Sequence, residues 1–399
     1  MTPVIIYLDD DYLCGYTEII IPPFSSALFQ QNTQLDSNPI LLGAVWGNPR
    51  PGGFSMNTLQ ENDSSAAKTW RKIVNDYQKP DIRKSVWQLM NTLIPYIILW
   101  ILMVYLIEIS YWLVIPLAVI AGGLVVRIFI ILHDCGHWSF FKSAKANHWV
   151  GSIMGILVFT PYFQWRQSHA VHHATAANLD KRGVGDIWTL TVDEFLEAPW
   201  WKRLFYRVYR NPLIMFGVGP LLTFLILHRL PNNTYKKREK NSVHLTNLAI
   251  LIIVLLMSWA IGLKNYLLIQ LPVIWVASTV GVWMFYVQHQ FEGVYWERAQ
   301  KWDFLKAGLE GSSFYQLPKV LQWFSGSIGF HHIHHLSPRI PNYLLEKCHL
   351  ENKIFQVKPI KLWASLKSMT FRLWDEKKRQ LVNFRDLKLY RMDRAGHNV

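Results

Sequence analysis

Four long apolar runs, a low charge content and histidines clustered at the ends of those runs predict the fold class. The chain reads as an all-α integral membrane protein with four transmembrane helices in two hairpins. Interfacial or re-entrant helices and a cytoplasmic helical cap carrying the histidines complete it. Of 399 residues, 51% are hydrophobic and only 17% are charged, against a usual charged share of about 25%. Nineteen tryptophans suit a chain that meets the bilayer interface along several segments.

Each apolar run approaches the roughly 20 residues that a bilayer crossing requires. The runs lie near 86–107, 112–132, 245–263 and 266–287. The first two are joined by "EISYW" and the last two by "GLKNY". Connections this short make two helical hairpins. The basic segments "RKIVNDYQKPDIRK" and "HRLPNNTYKKREK" precede the first and third runs. Positive-inside logic therefore places both hairpin tips outside and the remaining loops in the cytoplasm.

Two shorter stretches, 149–163 and 212–230, are interrupted or ended by Pro161, Pro212 and Pro220. A single crossing by either would put histidine clusters on opposite sides, so both read as re-entrant or interfacial. "PWWKRLFYRVYRNP" (199–212) interleaves aromatics with Lys202, Arg203, Arg207 and Arg210, a pattern that fits a helix in the headgroup plane. The net charge of +14 is explained by cytoplasmic loops facing anionic lipid, and no nucleic-acid partner is expected. The cysteines Cys14, Cys135 and Cys348 are scattered, which gives neither a disulfide framework nor a zinc knuckle.

Residues 1–55 differ from the rest, with five acidic residues against one basic one, Arg50. "EIIIPPF" is too short to span and lacks the basic flank of a signal peptide. Met56 opens a more ordinary N-terminus. We read 1–55 as an atypical extension added by an upstream start, and 56–399 as one membrane domain. "RPGG" at 50–53 reads as a turn.

Ten of the fifteen histidines fall in four clusters just beyond apolar runs. They are His133 and His137 in "HDCGH"; His169, His172 and His173 in "HAVHH"; His289; and His331, His332, His334 and His335 in "HHIHH". On a helix, positions i, i+3 and i+4 share a face, so HxxxH and HxxHH set imidazoles side by side. One HxxHH is expected by chance roughly 0.02 times in a chain with this histidine frequency, and two occur. His332 falls outside the HxxHH frame and reads as a supporting residue. The other nine are too many for one metal, which takes four to six ligands. They fit two metals with positions left open. A metal transporter would carry ligands within the spans. The runs hold almost none apart from Arg127, near a cytoplasmic end.

"HDCGHWSF", "PYFQWRQSHAVHH", "QHQFEGVYW" and "GFHHIHHLSPRIPNY" resemble the histidine boxes of membrane fatty-acid desaturases. The resemblance covers about 80–399 and includes "EGSSFYQLPKVLQWFSG". It is strongest to bacterial and cyanobacterial acyl-lipid desaturases of the Δ12 type. It implies a non-haem diiron centre held by His133, His137, His169, His172, His173, His289, His331, His334 and His335. It also implies dioxygen as co-substrate, membrane-lipid acyl chains as substrate, and a cis double bond and water as products. A hydroxylase or carotenoid oxygenase shares this chemistry and stays open as the alternative. In animal stearoyl-CoA relatives an asparagine lies one turn before the residue equivalent to His289, where this chain has Phe285.

Histidine ligands need acceptors on the second ring nitrogen. Candidates are Asp134, Asp180, Asp186, Glu292, Asp303 and Glu310, with Asp134 and Glu310 favoured. Arg166 is a candidate for a carboxylate or a lipid phosphate, with structural use an equal reading. No cysteine cluster is present for an iron–sulfur centre. A separate electron donor is therefore expected, ferredoxin by resemblance rather than cytochrome b5.

Overall fold

The computed structural model describes residues 64–390, with side chains from residue 70 onward. The 1–55 extension lies outside the described residues. A first helix, α1 (Ser64–Tyr77), precedes the first hairpin, α2 (Ile82–Ile107) and α3 (Tyr111–Gly136). Two shorter helices follow, α4 (Ala144–Leu157) and α5 (Tyr162–Thr175), then α6 (Val192–Glu197) and α7 (Trp200–Tyr209). A π-helical turn, Leu213–Val218, leads into α8 (Gly219–Leu225) and the second hairpin, α9 (Lys237–Ile261) and α10 (Leu263–His289).

Among the described residues, four helices are long and apolar enough to cross a membrane, namely α2, α3, α9 and α10. Each extends beyond its apolar run, because helical hydrogen bonding continues where hydrophobicity stops. Asp81 caps α2 by accepting from the Arg83 amide at 2.9 Å. The two hairpins are not symmetric in depth. The most apolar windows of α3 and α10 are 61% and 39% buried, against 17% and 6% for α2 and α9. So α3 and α10 form the inner pair and α2 and α9 face lipid. Gly122 permits the close inner contact, since a Cβ there would sit 2.7 Å from Val276.

At 14 residues, α4 is about 21 Å long and too short to span. The 213–229 stretch meets α7 at 59°. All four histidine clusters meet at one end of the inner pair, as the site geometry below shows. Neither short stretch therefore makes a lone crossing.

The cap is built from α11 (Phe304–Leu309), α12 (Lys319–Phe324), α13 (His331–Leu336), α14 (Asn342–Glu351) and α15 (Leu362–Ser365). Four three-residue strands, which sequence periodicity did not reveal, pin it. β1 (Phe314–Gln316) pairs in parallel with β2 (Pro359–Lys361), and β3 (Leu373–Asp375) pairs antiparallel with β4 (Gln380–Val382). An apolar cluster around Phe314, Phe330, Ile333, Leu336 and Leu345 packs behind α13. It holds the last histidine cluster against the ends of α3 and α10.

Candidate metal centre

The last turn of α3 presents His133, and His137 caps it with its amide 3.1 Å from the His133 carbonyl. One turn apart, the two rings lie 4.6 Å from each other. The helix ends at Trp138, whose φ of 57° is left-handed. That conformation costs a non-glycine residue about 1 kcal/mol. Arg166 stabilises this turn. Its guanidinium lies 4.4 Å over the Trp138 ring, and its Nε donates to the Gly136 carbonyl at 2.9 Å. Both contacts let Arg166 brace the end of α3.

Nine histidines converge in two groups. His133, His137, His169, His173 and His334 form one; His172, His289, His331 and His335 form the other. Within each group the ligand nitrogens all lie within 4.8 Å of one another. Each HxxHH helix serves both groups. On α5, the i,i+4 pair His169 and His173 faces the five-histidine group, while His172 turns to the other. On α13 the assignment is reversed, with His331 and His335 in the four-histidine group and His334 in the first. Stacked rings of His173 and His335, 4.2 Å apart, join the two groups.

The donor geometry fits metal ions. Nε2–Nε2 separations are 3.0 Å for His133–His334 and His334–His173, and 3.1 Å for His173–His169. In the second group they are 3.1 Å for His172–His289, 3.0 Å for His289–His331 and 3.1 Å for His331–His335. Neighbouring ligands at right angles on metal–nitrogen bonds of about 2.1 Å would be about 3.0 Å apart. Ring nitrogens turned toward one another at these separations form an arrangement that a shared cation would hold together.

Burial and protonation agree with ligation. Seven of the nine are at most 3% exposed, His169 and His289 being the more open. Burial, reinforced by neighbouring imidazoles, holds His137, His169, His173, His331, His334 and His335 well below the ordinary histidine range. The neutral ring is the form that binds a metal.

The residues behind the ligands fix ring orientation. His133 Nδ1 lies 3.1 Å from Asp134 Oδ1. The other Asp134 oxygen accepts from the Asn342 amide at 2.7 Å and its side chain at 2.8 Å. Asp134 thereby ties the first cluster to the start of α14. His172 Nδ1 lies 2.6 Å from Asp186 Oδ1. Gly185 makes that return possible: its φ is +71°, and a Cβ there would crowd His172 at 3.0 Å. The Gly311 backbone supports His289 by accepting from its ring.

Glu310 corrects the sequence reading. It is exposed, and among the described residues none of the nine histidines is hydrogen bonded to its carboxylate. Its neighbour Gly311 supplies a backbone group instead. Of the remaining acids, Asp180 pairs with Arg298 at 2.5 Å, Glu292 pairs with Lys367 at 2.7 Å, and Asp303 caps α11. His332 is buried, with its Nε2 2.8 Å from the Phe355 carbonyl, and takes no place in either group. Phe285 lies beside His172 and His289, with ring centroids 5.1 Å from each. An apolar ring thus walls the four-histidine group.

One important residue, Arg210, read as part of an interfacial helix in sequence. It is fully buried. Its Nη2 donates to the Gln290 side chain at 2.6 Å, the Phe371 carbonyl at 2.9 Å and the Tyr286 hydroxyl at 3.1 Å. Its Nη1 reaches the Trp188 carbonyl and the Thr189 hydroxyl at 3.3 Å. Arg210 thus ties the end of α10, beside His289, to the strap that follows Asp186. Tyr206 one turn earlier is buried too, so the two mark an inner face at the end of α7 that the aromatic–basic pattern did not distinguish.

A multi-span helical membrane protein whose nine imidazoles form two groups, each able to hold a metal ion, defines a class. Comparison with known proteins specifies it further. The family model for fatty acid desaturase matches residues 110–357. A fatty acid desaturase of Bacillus subtilis is 47% identical over 322 residues, 80% of this chain and 92% of that protein. An sn-1 oleoyl-lipid 12-desaturase of Synechocystis is 28% identical over 250 residues, covering 60% of this chain and 68% of the relative. An sn-1 acyl-lipid omega-3 desaturase (ferredoxin) of the same organism is 28% identical over 57% of this chain and 64% of its own. The chain belongs to the fatty acid desaturase family and is an enzyme of that class.

Proposed function

We propose that this enzyme inserts a cis double bond at the Δ12 position of acyl chains in membrane lipids, using dioxygen and two iron ions. The observation that carries the reading is the convergence of nine imidazoles into two adjoining groups. The relative that acts on an oleoyl lipid supports the position and the lipid-linked substrate. The relative named for ferredoxin supports that donor. The basic segments before α2 and α9 support a cytoplasmic active site. Residues 56–399 form the catalytic domain, and 1–55 is an extension outside it.

A saturated methylene offers no acid or base handle, and a bound iron pair supplies the dioxygen activation that its C–H bonds require. The chain's own residues supply binding, orientation and exclusion of water. Asp134 and Asp186 hold the Nδ1 protons of His133 and His172, so that each Nε2 is bare and aimed inward. Trp165 stacks on His169 with centroids 4.5 Å apart, and Phe129 packs edge-on against Trp165 at 5.4 Å. Together with Phe285 they give the ligands an apolar surround that keeps water from the reacting chain.

The test is expression in a host without polyunsaturated fatty acids, followed by mass-spectrometric location of new double bonds. Dienoic chains bearing a Δ12 bond are expected. Hydroxylated chains, or double bonds only at another carbon, would overturn the corresponding part of the proposal.

A further inference from the structure

The parallel pairing of β1 with β2 has a topological consequence. Gln316 lies opposite Lys361, so the chain leaves both strands at the same end. It enters α12 shortly after one strand and α15 directly after the other. Both helices present large apolar side chains outward. Val320 is 67% exposed, Trp363 is 80% exposed, and Leu321, Trp323 and Leu366 are exposed as well. None of the residues of α12 is buried. Apolar surface of this kind marks a contact with another apolar phase.

Packing shows which phase. α12 does not sit over the histidines but against the middle of α3. The Phe324 ring fills the space beside Gly123, where a Cβ would come within 2.9 Å. The Arg127 guanidinium lies 4.2 Å over the Trp323 ring and donates to the Trp323 carbonyl. Gly123 is about 20 Å along the helix axis from the end of α3, well inside its apolar run. Val119 and Ile120, within about a turn of Gly123 on α3, are exposed as well, so α12 packs beside exposed apolar surface of a span. Lys319, Lys358, Lys361 and Lys367 are exposed around the strand ends. Lys319 pairs with Glu346 and Lys367 with Glu292.

We propose that α12 and α15 form a membrane-inserted foot of the cap. Their apolar faces lie among acyl chains, and the lysines above them meet the phosphates of anionic lipids. The cap thus grips the bilayer surface directly. This deepens the functional reading and rests on it in one respect: a lipid-linked chain is then recruited from the leaflet that holds the foot.

The test uses the full chain in phospholipid nanodiscs, with Cys14→Ser as background and single spin labels at Val320→Cys and Trp363→Cys. Lys301→Cys, in an exposed turn of the cap, serves as the aqueous control. Labels at 320 and 363 should be several-fold more accessible to oxygen than to a water-soluble nickel chelate, with the opposite ratio at 301. Nickel accessibility at 320 and 363 equal to that at 301 would overturn the foot. Adding phosphatidylglycerol to phosphatidylcholine discs should move both labels deeper, and Lys361→Glu should reduce that shift. No shift in the parent would remove the anionic-lipid part. Double-bond formation in the same discs is read separately. Lipid-facing labels without desaturation would count against the function, and desaturation with water-facing labels against the foot alone.

Discussion

The two histidine groups use the same ligand chemistry but are supported differently. The five-histidine group rests on regular structure. His133 projects from the most buried span, and its partner Asp134 is 1% exposed and locked to Asn342. The four-histidine group rests on loops. Asp186 reaches His172 from a glycine turn with its side chain 22% exposed, and Arg210 must draw three distant segments together. Where a helix supplies the support, the sequence shows it by spacing. Where loops supply it, the support consists of long-range hydrogen bonds with no periodic signature.

The largest expected effect tests both groups at once. His334→Ala should abolish desaturation, as should His331→Ala, in a lipid-product assay. Next comes Arg210→Gln. It leaves several buried acceptors without a donor and should cost on the order of 3 kcal/mol, seen as a lowered midpoint of thermal unfolding. The four-histidine group should lose its metal first, and equal loss from both groups would break the comparison. Asp134→Asn and Asp186→Asn should each weaken metal binding by roughly 10–100-fold. Asp134→Asn should be the more severe, since it also releases Asn342, and metal titration ranks them. Phe285→Asn places an amide beside His172 and His289. It should tighten metal retention in the four-histidine group by less than about tenfold, as read by chelator competition. Glu310→Gln should change stability by under about 0.5 kcal/mol and leave activity intact.

Much of the fold was legible because hydrophobic runs and basic flanks are local signals. The four spans were placed to within a few residues at most of their ends, α9 beginning earlier because its basic first turns are helical too. The nine histidines were legible by spacing. Their allocation was not: a shared helical face does not reveal that His172 and His334 turn to the opposite group from their neighbours. Asp134 was favoured because it adjoins His133 in sequence. Glu310 was favoured over Asp186 although Asp186 stands nearer a histidine box in the chain, because nothing local in the sequence marks which acid folds back onto a ring. The turn at Gly185, which brings Asp186 back, is a three-dimensional fact. The foot formed by α12 and α15 was hidden for the same reason. It depends on a strand pair between residues more than forty positions apart.

The central claim is that nine histidines hold two metal ions in separable groups. Iron-to-protein stoichiometry of the purified enzyme tests it most directly. The expected ratios are two irons per chain in the parent and one in both His334→Ala and His331→Ala, with the folded state retained in each. A single iron in the parent, or two irons retained in both variants, would contradict it.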